Sequence, residues 1–263
     1  MNKFYIQIAL FLLNIFPYAN NEALATEPAP GEDTKPLSHI ATSEEVFEKN
    51  KHLLCTNPEE TKNAIELMDE AVSHLKLHAT DVGNYEPFGQ GYESRAFYSK
   101  KKDKSNGIIL KANLKFEDSN KYNTLINMIW DPDSDNLFNN GSVKIARVYD
   151  PNLVIIQQRY KKGFMTRQKY FYALLKKAQI SENITIIAMA SANINDHNPS
   201  GKKYENKIIE NANLFTTDID SEDDIRKGKL RKVFVNIAGY LIENKSRWID
   251  IIYIESIDGY TSL

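Results

Sequence analysis

Six apolar, β-rich segments crowd the second half of the chain: SVKIARVYD, NLVIIQQRYK, KYFYALLKKA, NITIIAMASANI, KVFVNIAGYLIE and RWIDIIYIES. Val, Ile, Tyr and Phe dominate them, as pleated, half-buried surfaces require. Turn chemistry separates them at Asp150-Pro151-Asn152, Lys162-Gly163 and Ser181-Glu182-Asn183. Strands joined by connections this short pair antiparallel, and a sheet this broad curves. A long polar interruption, residues 198–229, separates the last two strands from the rest. Upstream, RAFYSKKKDKSNGIILKANLKF reads as two more strands around a polar loop containing Asn106-Gly107.

Helix signals precede the sheet. Thr42 with Glu45 is a capping box, and Asn57, Pro58 and Glu60 supply an N-cap, a first-turn proline and a capping acid. Ala64, Met68, Ala71, Val72 and Leu75 then form one apolar stripe. A further amphipathic helix carries Tyr122, Leu125, Ile126, Ile129 and Trp130 on one face, and Asp131-Pro132 ends it. The resulting class is α+β. One domain over residues 42–263 sets helices on one face of a curved antiparallel sheet, leaving a concave interior filled by side chains or a ligand.

The first 25 residues read differently. Lys3 precedes the apolar run Phe4–Phe16, Pro17 breaks it, and Ala23-Leu24-Ala25 is a small-x-small cleavage signal. The run is shorter than the about 20 residues a membrane span takes, so residues 1–25 are expected to be a secretory signal. Residues 26–41, rich in proline and charge, are expected to be a disordered linker. Cys55 is the only cysteine, so a core and not an intramolecular disulfide must hold the fold. A net charge of −2 gives no footprint for nucleic acid.

No catalytic pattern emerges: the chain has no G-x-S-x-G, P-loop or Rossmann glycine motif. DPDSDN at Asp131–Asn136 begins like a calcium loop but has Asn136 where glycine belongs and Ser142 where the final glutamate belongs. His74 and His78 are one helical turn apart, with no third zinc ligand placed by the sequence. No metal, cofactor or enzymatic activity is therefore expected. The informative residues are polar ones inside apolar strands. Gln157 and Gln158 point to opposite faces, Asn236 interrupts KVFVNIAGY, and alternation puts Arg147 on the face of Val143 and Ile145. Each needs a partner when buried, either within the protein or in a ligand headgroup.

MIWDPD, TRQKYFYALLKKA, SANINDHNP and YLIENKSRWIDIIYIESIDG resemble the START lipid-transfer domain over about residues 58–263. The N-terminal signal with ALATEPAPGEDT, EKNKHLLCTNPEET, NNGSVKI, DPNLVIIQQRYKK and IIENANLFTTDIDSEDDIRKGKL resemble the fam-a (PYST-A) multigene family of rodent malaria parasites over nearly the whole chain. The resemblance implies a START-like helix-grip fold, with a lipid in a tunnel between a curved sheet and a long C-terminal helix. It also implies a monomer that binds a phospholipid such as phosphatidylcholine, touches membranes transiently, and is secreted toward the parasitophorous vacuole or host erythrocyte. Lipid-binding positions carried over are Trp130 and Asp131 at the headgroup, Ile156 and Gln158 on one strand, Tyr170 as a cavity aromatic, and Asn236 and Ala238 on another strand. The basic position one turn before Asp131 is Asn127 here, which leaves Arg147 as its substitute. In the resemblance the Asp258-Gly259 turn leads into the closing helix, whereas Thr261-Ser262-Leu263 ends this sequence. The expectation is a truncated or naturally lidless domain with Ile252 and Ile254 open to water. The alternative function is an antigenic or host-interaction module on the same scaffold.

Overall fold

A computed structural model describes residues 40–259 except 91–95, 103–106, 135–140, 163–165 and 202. The expected signal, the linker up to residue 39, and Tyr260–Leu263 lie outside the described residues.

Helix α1, Ser43–Asn50, starts at the predicted capping box: Glu45 N–H donates to Thr42 Oγ1 at 3.3 Å and Thr42 N–H to Glu45 Oε2 at 2.8 Å. Helix α2, Pro58–Thr80, starts at Asn57, whose side chain accepts from the N–H groups of Glu59 and Glu60. Its other end is held by Lys111, which donates to the carbonyls of Ala79 at 2.6 Å and Asp81 at 2.9 Å. An ammonium among free helix-end carbonyls also complements the helix dipole. Helix α3, Tyr122–Trp130, stops at Asp131, as Asp131-Pro132 predicts.

Strands β1 (Glu86–Gln90), β2 (Ala96–Lys102), β3 (Ile108–Phe116), β4 (Gly141–Asp150), β5 (Leu153–Tyr160), β6 (Lys169–Ser181), β7 (Ile184–Ala190), β11 (Phe234–Asn244) and β12 (Ile249–Asp258) form one antiparallel path. Their order is β1-β2-β3-β12-β11-β7-β6-β5-β4, with β10 (Arg231–Lys232) pairing parallel to β6. The sheet is curved, and bulges interrupt its register in β1, β4, β6 and β11. All six predicted C-terminal strand segments are present.

The sheet buries both faces. The outer layer packs Leu67, Met68, Ala71 and Leu75 of α2 against Ile155, Tyr170, Ile186, Ala188, Ile237, Leu241 and Ile254. Gly239 permits this approach: a Cβ there would lie 2.1 Å from Ile187 O and 2.6 Å from Leu75 Cδ1, and its φ is +145°. The inner layer joins Ile126, Ile129 and Trp130 of α3 to Val154, Ile156, Phe171, Leu175, Met189, Ala238, Tyr240, Ile251 and Tyr253, with Val46 of α1. Helices therefore cover both faces, not one as expected. Ile254 is fully buried on the outer layer, with Ile252 packed beside it, so these two do not floor the interior. Tyr253 and Ile251 do, because alternation places them on the other face.

The polar interruption is ordered on the outer side. It holds β8 (Asn193–Asn195) parallel to β9 (Thr216–Asp218), and the short helices α4 (Asn211–Leu214) and α5 (Asp223–Arg226). Buried Asn206 is its hub. Asn206 Nδ2 donates to the carbonyls of Asn236 (2.9 Å) and Ser191 (3.3 Å), and Oδ1 accepts from the N–H groups of Ile208 and Ile209.

Candidate functional site

The inner layer contains a pocket beneath the C-terminal end of α3. Ile129, Trp130, Asp131 and Pro132 roof it; Val143 and Ile145 of β4, Val154 and Ile156 of β5 and Leu175 of β6 line the rest. It holds ≈ 380 Å³ of atom-free space, part of it continuous with solvent, and its enclosed part is small. That is room for about one water and far less than a lipid occupies. The lining is apolar apart from Asp131 and the Trp130 indole. Trp130 is buried, and its Nε1 has no hydrogen-bond partner among the described residues. An unused buried donor costs about 1–3 kcal/mol until an acceptor arrives.

The carried-over positions separate into groups. Trp130, Asp131 and Ile156 meet at the pocket. Asp131 is buried, and its carboxylate already accepts from two backbone donors, Ala41 N–H at 3.0 Å and Asp133 N–H at 2.9 Å. It thereby fastens the approach to α1 onto the end of α3. Gln158 alternates with Ile156 and is buried on the same face, beside the Val143 row. Ala238 belongs to the inner layer two strands beyond β6.

Arg147 and Tyr170 lie on the opposite face. In β4, Ile145 pairs with Ile156 but Arg147 pairs with Ile155, so a bulge absorbs one residue and reverses the alternation. The expectation that Arg147 shares a face with Val143 and Ile145 is corrected by that bulge. Its guanidinium donates to Glu60 Oε1 at 2.6 Å, to Thr217 Oγ1, and to the Asp218 carbonyl at 2.8 Å. Tyr149 donates to the same Glu60 carboxylate at 2.7 Å. Burial pushes the Glu60 carboxyl up, but the hydrogen bonds from Tyr149, Arg147 and Thr217 outweigh it and leave its pKa below the ordinary value. The capping acid read from the sequence is thus an outer-face crosslink. Tyr170 is fully buried in the outer layer, where its hydroxyl donates to Asp196 at 2.9 Å; Lys232 pairs with Asp196 at the same distance. Burial, then the adjacent Asp196 charge, pushes the Tyr170 phenol far above its usual range. The inward aromatic of β6 is its neighbour Phe171. Asn236 sits in the β11 bulge, where its backbone carbonyl serves Asn206 and its buried Oδ1 has no hydrogen-bond partner among the described residues.

Gln157 and Gln158 do point to opposite faces. Gln157 joins an outer network, donating to Tyr172 and to Glu222 at 2.7 Å, while Arg159 pairs with Asp224 at 2.6 Å and with Glu222 at 3.1 Å. Burial pushes the Tyr172 phenol up to about 12.

Three inner-face residues were not singled out from the sequence: Tyr240, Tyr253 and Glu255. The two tyrosine rings pack at 4.8 Å between centroids. Tyr253 donates to Glu255 Oε2 at 2.5 Å, and Glu255 enters no ion pair with the described residues. It keeps partial solvent contact, yet burial still raises its carboxyl pKa above the ordinary value, against the hydrogen bond from Tyr253. The available signal was period-two alternation, which puts Glu255 on the face of Ile251 and Tyr253. Among the described residues no group of three or more His, Cys, Asp or Glu side chains can hold a metal ion, and no helix is long and apolar enough to cross a membrane.

No protein-family model matches the chain, and no curated protein does so. Solved structures match it in fold. Human StAR-related lipid transfer protein 5 superposes with a TM-score of 0.53 and 9% identity, over 76% of this chain and 84% of that one. Human STARD10 superposes with a TM-score of 0.51 and 11% identity, over 74% and 69% respectively. The fold is thus the START-like helix-grip fold.

Proposed function

We propose that the chain binds a phospholipid, phosphatidylcholine among its ligands, in the interior on the concave side of the sheet and carries it between membranes as a monomer, with no covalent chemistry. The observation that carries this reading is the sheet's division into two unlike faces: an outer face crosslinked by ion pairs and an inner face that is apolar and pocketed. The START-like fold supports it, since the similar structures include a lipid transfer protein. Burying acyl chains contributes about 0.8 kcal/mol per CH₂, and a few polar groups fix the headgroup. The small observed pocket makes this a resting arrangement, so loading requires the inner layer to part at a membrane. Secretion belongs to the same proposal and is supported by the N-terminal signal pattern, and delivery to the parasitophorous vacuole or host erythrocyte by the fam-a resemblance.

The test is transfer of labelled phosphatidylcholine between vesicles by the purified chain, with native mass spectrometry of what it retains. The expected result is one bound lipid and transfer that saturates with donor vesicles. A chain that neither retains nor moves lipid would instead support the host-interaction module.

A further inference from the structure

The interior has two ends of different chemistry. At one end lies the apolar pocket of Val143, Ile145, Val154 and Ile156. Its one acid, Asp131, already accepts two backbone hydrogen bonds. At the other end Glu255 has a single partner, the Tyr253 hydroxyl, and no cation among the described residues.

The two ends share one row of the sheet. Glu255 pairs with Ala238, Ala238 with Met189, Met189 with Leu175, and Leu175 with Val154. Four strand spacings make that row about 19 Å long, the length scale of an extended fatty-acyl chain. The residues between Glu255 and the pocket along this row, Ala238 and Met189, are apolar, and the one directly opposite the carboxylate, Ala238, is small. The Tyr240 and Tyr253 rings belong to the same inner layer.

We propose that Glu255 anchors the polar end of the bound lipid by taking an ammonium headgroup beside the Tyr240 and Tyr253 rings, while an acyl end reaches across the sheet into the pocket under α3. An acid selects a cation by charge, and aromatic faces add a cation–π attraction. The inference rests on the lipid-binding reading above and deepens it. It also reverses the direction implied by sequence resemblance, in which the headgroup would sit at Trp130 and Asp131. The desolvated state of Glu255 is consistent with it, because a headgroup cation would relieve the burial of a lone carboxylate.

The experiment loads the full chain from mixed vesicles holding phosphatidylcholine and phosphatidic acid with matched acyl chains of several lengths. Bound lipid is then quantified by mass spectrometry. Wild type is expected to favour phosphatidylcholine. Glu255→Gln should reduce that headgroup preference at least tenfold while keeping the same chain-length profile. Ile156→Trp, which fills the pocket at the far end, should shift the profile to shorter chains and leave the headgroup ratio unchanged. The opposite split, with Ile156→Trp altering headgroup choice and Glu255→Gln altering chain length, overturns the proposed direction. Lipid binding with an unaltered headgroup ratio in Glu255→Gln overturns the anchor while leaving the lipid-binding reading intact. No bound lipid in wild type overturns both.

Discussion

Arg147 and Glu255 are both charged side chains set in apolar strands, and they live in opposite conditions. Arg147, on the outer face, reaches a carboxylate, a hydroxyl and a carbonyl, and its Glu60 partner accepts from three side chains. Glu255, on the inner face, has one phenol among the described residues. The same contrast separates Gln157, Arg159, Tyr170 and Asp196, all engaged, from the Trp130 indole, whose donor has no partner among the described residues. Buried polar groups that are fully paired fix one arrangement, whereas a partly paired one carries a desolvation cost. On the proposal above, the outer face stays closed while the inner face receives a ligand.

The hardest test of the closed face is Gly239→Val. The new Cβ would collide with Ile187 O and Leu75 while φ is left-handed, so destabilisation of about 3–5 kcal/mol is expected from strain and overpacking together. Urea denaturation measures it, and a loss under 1 kcal/mol would show that α2 can shift. Next is Arg147→Met, which leaves Glu60 half-satisfied; a loss of about 2–3 kcal/mol is expected. The lowered Glu60 pKa means its stabilisation is present above the ordinary carboxyl pKa and is lost as pH falls through the lower folded value. The variant's acid-unfolding curve should therefore be flatter than wild type in that range.

Glu255→Gln probes the other face, with the opposite sign. A raised folded pKa gives stability that is full below the ordinary carboxyl pKa and declines as pH rises through the folded value. Replacing the acid should remove this decline, so the ligand-free variant should melt at or above the wild-type temperature at neutral pH. A clearly lower melting temperature would mean that the carboxylate already has its partners. The smallest effect is expected from Trp130→Phe. It deletes an unpartnered donor and should change stability by less than about 1 kcal/mol, although the same truncation in a fully bonded indole would cost more. Calorimetry distinguishes the two.

Much of this fold was legible locally. The capping box at Thr42, the Asn57 cap, the α2 stripe and the end of α3 at Asp131-Pro132 all follow from neighbours in sequence. The strands were legible as apolar runs, but which face each residue takes was not. In KYFYALLKKA both faces are buried, so periodicity could not tell Tyr170 from Phe171. In VKIARVY one bulge residue moved Arg147 to the other side, and nothing in the local pattern announces a bulge. Glu255 was missed for the converse reason: its alternation was readable, but a single acid in an apolar strand draws notice only once it is seen in three dimensions to meet no cation among the described residues. The pairings of Glu60 with Arg147 and of Asp196 with Lys232 span long stretches of sequence and have no local signature.

Asn206 carries a practical lesson for handling this protein. Its segment is lysine-rich and polar, the composition that marks a loop for trypsin. Because one buried amide ties that segment to Ser191 and Asn236, cutting it requires those bonds to break first. Limited digestion of the folded chain would therefore report on the integrity of the sheet's outer side, and a nick within residues 203–229 would register local unfolding before any spectroscopic signal of global melting.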